Sequence, residues 1–383
     1  MNPENTVHPV YKRRIIFVLG NLELGGAERQ ALILAKYLSE HEQAQVEVWG
    51  FNKSGPVAEI CARHNLPTRV IPCSFSGNRS SRVRALVSVS SSLRSAKPDL
   101  ILPYTFGPNV VCGLIWDRTG ARSCVWNQRD EGIVPSDSSF MHRAAQATPR
   151  FVSNCDAGAK FLIEKLGVTA EKVRVIPNGV ETVATEMDRS AWRERLAVDD
   201  RTFVACMVAN LHLNKDHATL LRAWRKVVNE FATNGRSALL VLAGRHDGAY
   251  ESLASLASEL QLNDNVRFAG PVSDVRGLLN AADVSVFSSR SEGCPNAVLE
   301  SMAAGLPVAG SDIKGIRDVV GDSGTQFLAP VGDADSLAEI LLKMAKNPEL
   351  CARIGTENSE RVKQKYDSLR MCRETAALLA ELL

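Results

Sequence analysis

Short apolar runs rich in β-branched residues alternate along this chain with stretches whose apolar positions recur at helical spacing. Arg14–Leu19 predicts a first strand, and Ala27–Ser39, with Ala31 and Leu34 on one face, predicts the helix that follows. The same alternation continues as far as Val173–Ile176. Such a pattern predicts a parallel sheet with helices on both faces.

A second series of alternating elements begins later in the chain. The turn signal Pro177-Asn178-Gly179 and a polar stretch come first, and the strand pattern restarts at Phe203–Val208. We therefore predict an α/β protein of two doubly wound, Rossmann-like domains facing an interdomain cleft, which suits a chain of 383 residues. The predicted parts are an N-terminal domain at residues 1–185, a linker at 186–200, a C-terminal domain at 201–357 and a final helix at 358–383.

Composition narrows the class of protein. Lys and Arg number 45 against 43 Asp and Glu, a net charge of +2, which disfavours a general nucleic-acid binder. No apolar run reaches the roughly 18–20 residues of a membrane span, and the run after the polar start is too short for a signal peptide. The nine cysteines are scattered without a C-x-x-C pair, so we expect no zinc site and a cytoplasmic location.

The loop between the first strand and the first helix is rich in glycine. Gly25 and Gly26 would let a ligand approach the backbone, and the helix N-terminus beyond them suits a phosphate. A tight turn without a ligand is the alternative. A dinucleotide site is disfavoured because the loop does not match G-x-G-x-x-G, although Glu47 lies about twenty residues on.

Two loops of the second domain carry charged candidates. Lys215 stands near a helix start, where it could meet an anion, although a loop lysine is usually solvated. Glu292 lies in the loop before a helix and Glu300 lies within it; sugar or ribose hydroxyls would be suitable donors to either. Glycoside hydrolysis is disfavoured because eight helical residues span about 12 Å, more than the roughly 5–9.5 Å between catalytic carboxylates.

These segments together resemble a known family. Glu292 to Glu300, followed by Met302–Val308, is similar to the retaining GT-B glycosyltransferases of family 4, the glycosyl transferases of group 1, including those of bacterial polysaccharide biosynthesis. Asn210–Leu221, Val175–Val180 and Gly25–Glu28 resemble three further motifs of the family. The resemblance extends in order over almost the whole chain.

The resemblance implies roles for individual residues. Lys215 matches the family's diphosphate-binding lysine, Glu292 the glutamate on the donor-sugar hydroxyls and Glu300 the glutamate on the nucleotide ribose. Gly25 and Gly26 match the loop near the donor diphosphate and the acceptor. The N-terminal domain is the part expected to bind the acceptor. The loop residues expected around the donor sugar are Gly293, Cys294 and Asn296.

The sequence departs from the family at two places. Ala209 and Asn210 stand where Gly-Arg is common, so we expect Asn210 to lie at the donor and Arg245 to supply the missing charge, a solvated Arg245 being the alternative. Many members carry a histidine near the reacting sugar, but the matching stretch around Asn127 and Arg129 has none. We expect Arg129, or else Asn127, to take that place, which gives Glu292, Lys215 and Arg129 as the catalytic set.

We expect neither a metal nor a cofactor. Asp333-Ala334-Asp335 spells the D-x-D of metal-dependent sugar transferases, but its place before Ser336 predicts a helix cap. A lysine, glycine amides and a helix dipole can stabilise a leaving diphosphate without magnesium.

The resemblance implies transfer of a sugar from a nucleotide diphosphate donor to an acceptor hydroxyl with retained configuration. A UDP-sugar is favoured over a GDP-sugar, and the acceptor is expected to be a lipid-linked glycan in cell-surface polysaccharide synthesis. The absent histidine and arginine motivate an alternative, a non-catalytic nucleotide-sugar-binding partner of another transferase.

One basic segment motivates a membrane hypothesis. Asn78–Pro98 contains no acidic residue, and up to Thr185 there are 22 Lys and Arg against 16 Asp and Glu. Apolar residues at helical spacing separate its basic residues, which are Arg79, Arg82, Arg84, Arg94 and Lys97. Such a stretch could dock on the anionic inner face of a membrane, the alternative being a solvated surface helix.

Overall fold

A computed structural model describes residues 10–74, 78–132, 139–181 and 184–383. The chain divides into two units, which we call the N-terminal unit (Met1–Gly179 with Ser368–Leu383) and the C-terminal unit (Val180–Asp367). The chain first leaves the N-terminal unit directly after the turn Pro177-Asn178-Gly179. This boundary lies six residues before the predicted end of the first domain at 185.

The N-terminal unit is built on a parallel sheet. Its described strands are β1 Arg14–Leu19, β2 Gln45–Phe51, β3 Thr68–Ile71, β4 Leu100–Pro103, β5 Ser123–Gln128, β6 Arg150–Ser153 and β7 Val173–Val175. They lie in the order β3-β2-β1-β4-β5-β6-β7. The helices between them are α1 Gly26–Glu40, α2 Pro56–Arg63, α3 Arg79–Ala96, α4 Phe106–Ile115, α5 Ser139–Ala147 and α6 Asp156–Lys160, which a π-helical turn extends to Lys165.

Successive side chains of β1 point to opposite faces of this sheet. Ile15, Phe17 and Leu19 belong to one hydrophobic core, whereas Ile16 and Val18 belong to another. Because both faces are buried, the strand is a continuous apolar run, as expected of a parallel sheet between helices.

The C-terminal unit repeats this architecture. Its described strands are β8 Phe203–Val208, β9 Ala238–Ala243, β10 Val266–Gly270, β11 Val284–Phe287, β12 Val308–Ser311 and β13 Leu328–Ala329. They are parallel and lie in the order β10-β9-β8-β11-β12-β13. Its helices are α7 Arg189–Arg195, α8 His217–Thr233, α9 Tyr250–Glu259, α10 Val275–Ala281, α11 Asn296–Ala303, α12 Lys314–Gly324, α13 Ala334–Ala345 and α14 Pro348–Lys365. The prediction of two parallel, doubly wound α/β domains is confirmed.

The strand order of each sheet reverses beside its first strand. β1 pairs with β2 on one side and β4 on the other, and β8 pairs in the same way with β9 and β11. The carboxyl ends of the strands at such a reversal are where doubly wound folds bind ligands. The loops after β8 and β11 are therefore the first place to look for a site in the C-terminal unit.

The structure differs from the predicted linker at residues 186–200. This segment contains α7, whose Trp192 is buried with Leu196 against α10, and whose indole Nε1 donates a 2.7 Å hydrogen bond to Asp274. The segment therefore packs as part of the C-terminal unit. The linker prediction rests on the many charged residues of the segment. Two apolar side chains one helical turn apart, Trp192 and Leu196, are enough to dock a short helix.

The end of the chain forms two helices where one is predicted. α14 closes at Lys365, and a last helix, α15, covers Ser368–Ala380. α15 belongs to the N-terminal unit, where Met371, Cys372 and Ala376 lie in the same hydrophobic core as Leu34 of α1. Across the described ranges, no helix is both long enough and apolar enough to cross a membrane.

Candidate functional site

Lys215 and Glu292 meet at the carboxyl ends of two adjacent strands. Lys215 ends a short 3-10 helix in the loop after β8, and Glu292 lies in the loop after β11. The ammonium Nζ of Lys215 donates a hydrogen bond to Oε1 of Glu292, although 77 positions separate them along the chain. The fold thus brings two of the predicted catalytic residues together.

The pair is held from several sides. The Lys215 and Glu292 side chains are only 28% and 13% exposed, and Nζ of Lys215 lies 5.2 Å from the centre of the Phe287 ring. The Ser289 hydroxyl donates a 2.9 Å hydrogen bond to the same Glu292 oxygen. A charge pair fixed in this way can receive an anion at the lysine and hydroxyl donors at the glutamate with little reorganisation.

Hydrogen bonds lock the two loops to each other. The amide of Arg290 donates to the Asn214 carbonyl at 2.9 Å, and the Ser288 hydroxyl donates to the Lys215 carbonyl at 3.1 Å. The amide of Ser289 donates to Oγ of Ser311 on β12 at 3.0 Å. The position of Lys215 therefore depends on the strand beside its own and on the next one.

Gly315 allows α12 to approach the Glu292 loop closely. A Cβ atom at this position would lie 2.0 Å from the carbonyl oxygen of Glu292 and 2.6 Å from that of Gly293. These contacts involve backbone, which cannot rotate away as a side chain can. Only glycine fits here without displacing the loop that carries Glu292.

Asn210 and Arg245 lie together, but the side chain of Asn210 serves the backbone. Its Oδ1 accepts a 3.1 Å hydrogen bond from the Arg245 amide, and the Leu211 amide donates to the Arg245 carbonyl at 2.9 Å. The Arg245 guanidinium forms an ion pair with Asp247 at 3.5 Å. Asn210 therefore shapes the loop that carries Arg245, and its predicted contact with a donor stays a prediction.

The remaining candidates of the C-terminal unit surround the start of α11. Gly293 and Cys294 are buried in the loop, and Asn296 is the first helical residue after Pro295. Glu300 follows Asn296 by four residues, so both stand on one helix face. This face begins where the Glu292 loop ends.

His217, two residues after Lys215, is buried without hydrogen bonds. Its side chain is 1% exposed, and neither ring nitrogen has a partner in the described part of the chain. Burial lowers the pKa of His217 to about 4; the nearby Lys215 lowers it too, whereas Asp216 raises it. A neutral imidazole therefore lies at the first residue of α8, immediately after the loop that carries Lys215.

The predicted glycine loop lies in the N-terminal unit. Gly25 caps α1, and the carboxylate of Glu28 in the first helical turn folds back, so that a Cβ at Gly25 would come within 2.6 Å of its Oε2. A phosphate at these amides would lie beside this carboxylate. The amide and carbonyl of Gly179 each form a 2.9 Å hydrogen bond with the Gln30 side chain, which joins α1 to the turn containing Asn178.

Arg129 directly follows β5 in the same unit. Its guanidinium donates to Oδ1 of Asn178 at 3.2 Å and to Oδ1 of Asn127 at 3.1 Å, and it lies 4.6 Å from the centre of the Tyr104 ring. Asn127 is itself buried and donates to the Pro103 and Val125 carbonyls. Of the two residues expected in the histidine's place, Arg129 is the charged group and Asn127 supports it.

The D-x-D sequence forms a helix cap, as predicted. Oδ1 of Asp333 accepts 3.0 Å hydrogen bonds from the amides of Asp335 and Ser336 at the start of α13. Within the part of the chain that the structure describes, no three His, Cys, Asp or Glu side chains are grouped as metal ligands.

The basic segment forms α3, but its apolar residues do not all face outwards. Leu86 packs against the core that contains Val89 and Leu93, whereas Val83 and Val87 are 51% and 61% exposed. The basic side chains differ in the same way. Arg94 donates to the Arg118 carbonyl, Arg82 stacks on Phe140, Arg84 and Lys97 are exposed, and the side chain of Arg79 lies outside the described residues.

Comparison with known proteins places both halves of the chain. Residues 24–183 match the sequence model of Glycosyltransferase Family 4, and residues 188–361 match that of Glycosyl transferases group 1. The chain belongs to the family 4, group 1 glycosyltransferases.

Two relatives by sequence and one solved structure illustrate what the chain is similar to. This glycosyltransferase is 32% identical over 196 residues to the putative glycosyltransferase EpsD of Bacillus subtilis, which is 51% of this chain and 48% of EpsD, so the chain spans about half the length of that relative. It is 27% identical over 280 residues to the UDP-Gal:alpha-D-GlcNAc-diphosphoundecaprenol alpha-1,3-galactosyltransferase of Escherichia coli, covering 70% of this chain and 72% of the relative. The crystal structure of Anabaena Alr3699/HepE in complex with UDP and glucose has the same fold, with a TM-score of 0.84 at 21% identity over 96% of this chain and all of HepE.

Sequence reasoning missed three polar residues of this family 4 glycosyltransferase. Ser289 contacts Glu292, and Tyr104 and Asn178 contact Arg129. Each stands at most three residues beyond the carboxyl end of a strand. That position, combined with a polar side chain, is the signal that could have found them.

Proposed function

We propose that this chain transfers a sugar from a nucleotide diphosphate donor, a UDP-sugar in preference to a GDP-sugar, to an acceptor hydroxyl. The observation that carries the proposal is the Lys215–Glu292 pair at the carboxyl ends of β8 and β11, with Glu300 on the following helix. Family membership supports it, as do the UDP in the HepE structure and the UDP-Gal in the name of the Escherichia coli relative.

In this proposal the C-terminal unit binds the donor. Lys215 faces the diphosphate and stabilises the negative charge that grows on it as the glycosidic bond breaks. Glu292 accepts hydrogen bonds from sugar hydroxyls, and Glu300 accepts them from the ribose. The other donor-binding residues of the proposal are Asn210, Arg245, Gly293, Cys294 and Asn296 in the C-terminal unit, with Gly25 and Gly26 in the N-terminal unit.

We propose transfer with retention and without a metal or a covalent intermediate. The departing phosphate flanks the oxocarbenium-like centre on the face from which the acceptor attacks, and takes the acceptor proton. Arg129 is the proposed third catalytic residue, in place of the family's histidine. An acceptor hydroxyl then forms the new bond as the bond to the phosphate oxygen breaks.

The proposed acceptor is a lipid-linked glycan at the cytoplasmic face of a membrane, in cell-surface polysaccharide synthesis. The name of the Escherichia coli relative, with its diphosphoundecaprenol, supports this choice. Docking would use the outer face of α3, where exposed Val83 and Val87 lie among Arg84 and other basic residues. Each basic residue near an anionic leaflet contributes about 1 kcal/mol at low screening.

Sedimentation with anionic liposomes at low and high salt tests the docking. We expect binding at low salt that an Arg84→Glu, Lys97→Glu double variant abolishes. Arg353→Glu with Lys363→Glu, which makes the same charge change on exposed positions of α14, should leave binding unchanged. Equal binding by both double variants would refute the docking face.

A nucleotide-sugar screen tests the transfer itself. Thermal unfolding in UDP-, GDP-, ADP- and TDP-sugars should single out one donor, since a ligand at about 100 times its Kd adds roughly 2.7 kcal/mol of stability. Turnover with a lipid-diphosphate glycan acceptor, strongly reduced in Lys215→Ala, would show that the protein is an enzyme. A binding partner would show the stabilisation alone. Stabilisation by none of the four would refute the donor proposal.

A further inference from the structure

Four neighbouring strands of the N-terminal unit are followed by polar residues, and three of these residues contact the fourth, Arg129. Tyr104 directly follows β4, Arg129 follows β5, Asn154 follows β6, and Asn178 lies three residues after β7. These strands are adjacent in the order β4-β5-β6-β7, so their carboxyl ends lie side by side. That edge of a doubly wound sheet is the ligand-binding edge.

Arg129 is held rigidly by groups that carry no charge. Amide oxygens of Asn127 and Asn178 accept from its two terminal nitrogens, and the Tyr104 ring covers one face of the guanidinium. Its own backbone carbonyl accepts a 3.2 Å hydrogen bond from Asn154, which is buried. The orientation of the guanidinium is thus fixed before any ligand arrives.

The positive charge of Arg129 is not neutralised by the protein. No carboxylate among residues 10–74, 78–132, 139–181 and 184–383 forms an ion pair with it, and its Nε is buried without an acceptor. The neighbouring carboxylate of Asp130 instead accepts from Gln128 and from the Gly132 amide. Arg129 is only partly exposed to solvent. Holding a cation in such a place without a counter-charge is costly, so the site favours an anion.

Arg193, which is buried, shows what a purely structural role looks like in this chain. The terminal nitrogens of Arg193 donate to the carbonyls of Ala281, Asp199 and Thr202, and Nη1 lies 3.7 Å from the Asp283 carboxylate. Arg129 has the fixed geometry without the carboxylate.

Tyr104 covers Arg129 with its ring and keeps its own hydroxyl buried. The hydroxyl of Tyr104 is fully buried, and its proton has no acceptor in the described part of the molecule. Burial raises the pKa of Tyr104, and the neighbouring Arg129 lowers it. At the expected phosphate site of α1, by contrast, the Glu28 carboxylate lies beside Gly25.

We infer that Arg129, stacked on the Tyr104 ring, binds an oxyanion group, a phosphate or carboxylate, of a substrate. The inference deepens the proposed function and rests on it for the two sources of that group, which are the diphosphate of the donor and an anionic group of the acceptor. Asn127 and Asn178 are positioning residues that aim the guanidinium.

Calorimetric titrations of the full chain separate the two sources. UDP is titrated first, and inorganic pyrophosphate is then titrated into UDP-saturated protein, with wild type, Arg129→Gln and Arg129→Lys. The control is Arg63→Gln, which removes an exposed charge of the same unit. Loss of a charged hydrogen-bond donor should weaken the affected ligand about 10- to 100-fold, and lysine should restore part of it.

The two supporting outcomes differ in which ligand weakens. Weaker UDP binding by Arg129→Gln assigns the oxyanion to the donor. Unchanged UDP binding with weaker pyrophosphate binding assigns it to the acceptor. Unchanged affinity for both ligands, in an Arg129→Gln protein that unfolds at the wild-type temperature, overturns the inference.

A measurement on wild-type protein covers the case in which Arg129→Gln fails to fold. Phenylglyoxal modifies accessible arginines, and mass spectrometry locates the modified residue. Pyrophosphate or UDP should slow modification of Arg129 at least several-fold while Arg63 reacts at its usual rate; no protection by either overturns the inference. Absence of any nucleotide binding with retained pyrophosphate protection would instead defeat the sugar-transfer proposal and leave the anion site standing.

Discussion

Acid should destabilise the C-terminal unit through His217. The imidazole is buried without a hydrogen-bond partner among the described residues, and its pKa of about 4 lies well below the ordinary value of 6.5. Between these two values the unfolded chain binds a proton that the folded chain excludes. Stability is therefore fully present above pH 6.5 and is lost as the pH falls towards 4.

The size of the effect follows from the difference between the two pKa values. Each unit of pKa difference corresponds to 1.36 kcal/mol, so the complete loss is about 3 kcal/mol, of which about 2 kcal/mol appears by pH 4.5. The burial of His217 makes solvent screening weak, so most of this difference should be measurable.

The loss of unfolding free energy is measured by urea unfolding at about pH 7 and 4.5, monitored by hydrogen-exchange mass spectrometry of α8 peptides. His217→Gln removes the titrating ring and should lose about 2 kcal/mol less than wild type between the two pH values. His246→Gln, at an exposed position, should behave like wild type. An equal loss in wild type and His217→Gln would refute the reasoning.

Four further substitutions test the site. Lys215→Ala should lower kcat about 10²–10³-fold because one preorganised contact to the leaving diphosphate is lost, and wild-type kcat would remove Lys215 from the site. Glu300→Gln should weaken binding of free nucleoside diphosphate, whereas Glu292→Gln should act through the sugar; equal losses measured by calorimetry would contradict this division. Gly315→Ala should displace the Glu292 loop, costing about 1–3 kcal/mol in thermal unfolding and weakening donor binding, while Gly107→Ala, which has open space around it, should do neither.

The strands of this protein were predictable because burial on both faces makes them short, continuous apolar runs. Phe203–Val208, Ala238–Ala243 and Val284–Phe287 agree with the structure at both ends. Glu292 and Lys215 were predicted singly, but their contact was not, since it depends on β8 lying beside β11. Residues distant in sequence become partners only through strand order.

Other features depend on tertiary contacts that leave no local signal. Neither glycine nor proline separates α14 from α15; instead the Tyr366 carbonyl accepts a 2.8 Å hydrogen bond from the Val180 amide, and the helix ends there. In α3, the spacing of apolar residues indicated a helix but not which of them face the core. The partners of Arg129 likewise come from three other loops, each outside the reach of a sequence motif.

The placement of α15 has a consequence for the order in which the protein can fold during synthesis. Met371, Cys372, Ala376, Leu378 and Leu379 belong to the core formed by α1 and the first strands, yet a ribosome makes them after the entire C-terminal unit. Domains usually fold as units during synthesis, the N-terminal one first. Here the C-terminal unit, which is one continuous segment, can complete its core before the N-terminal unit does. Until α15 is made, the apolar side of α1 around Leu34 lacks its cover, so the first half of the nascent chain is the part that most needs protection from aggregation.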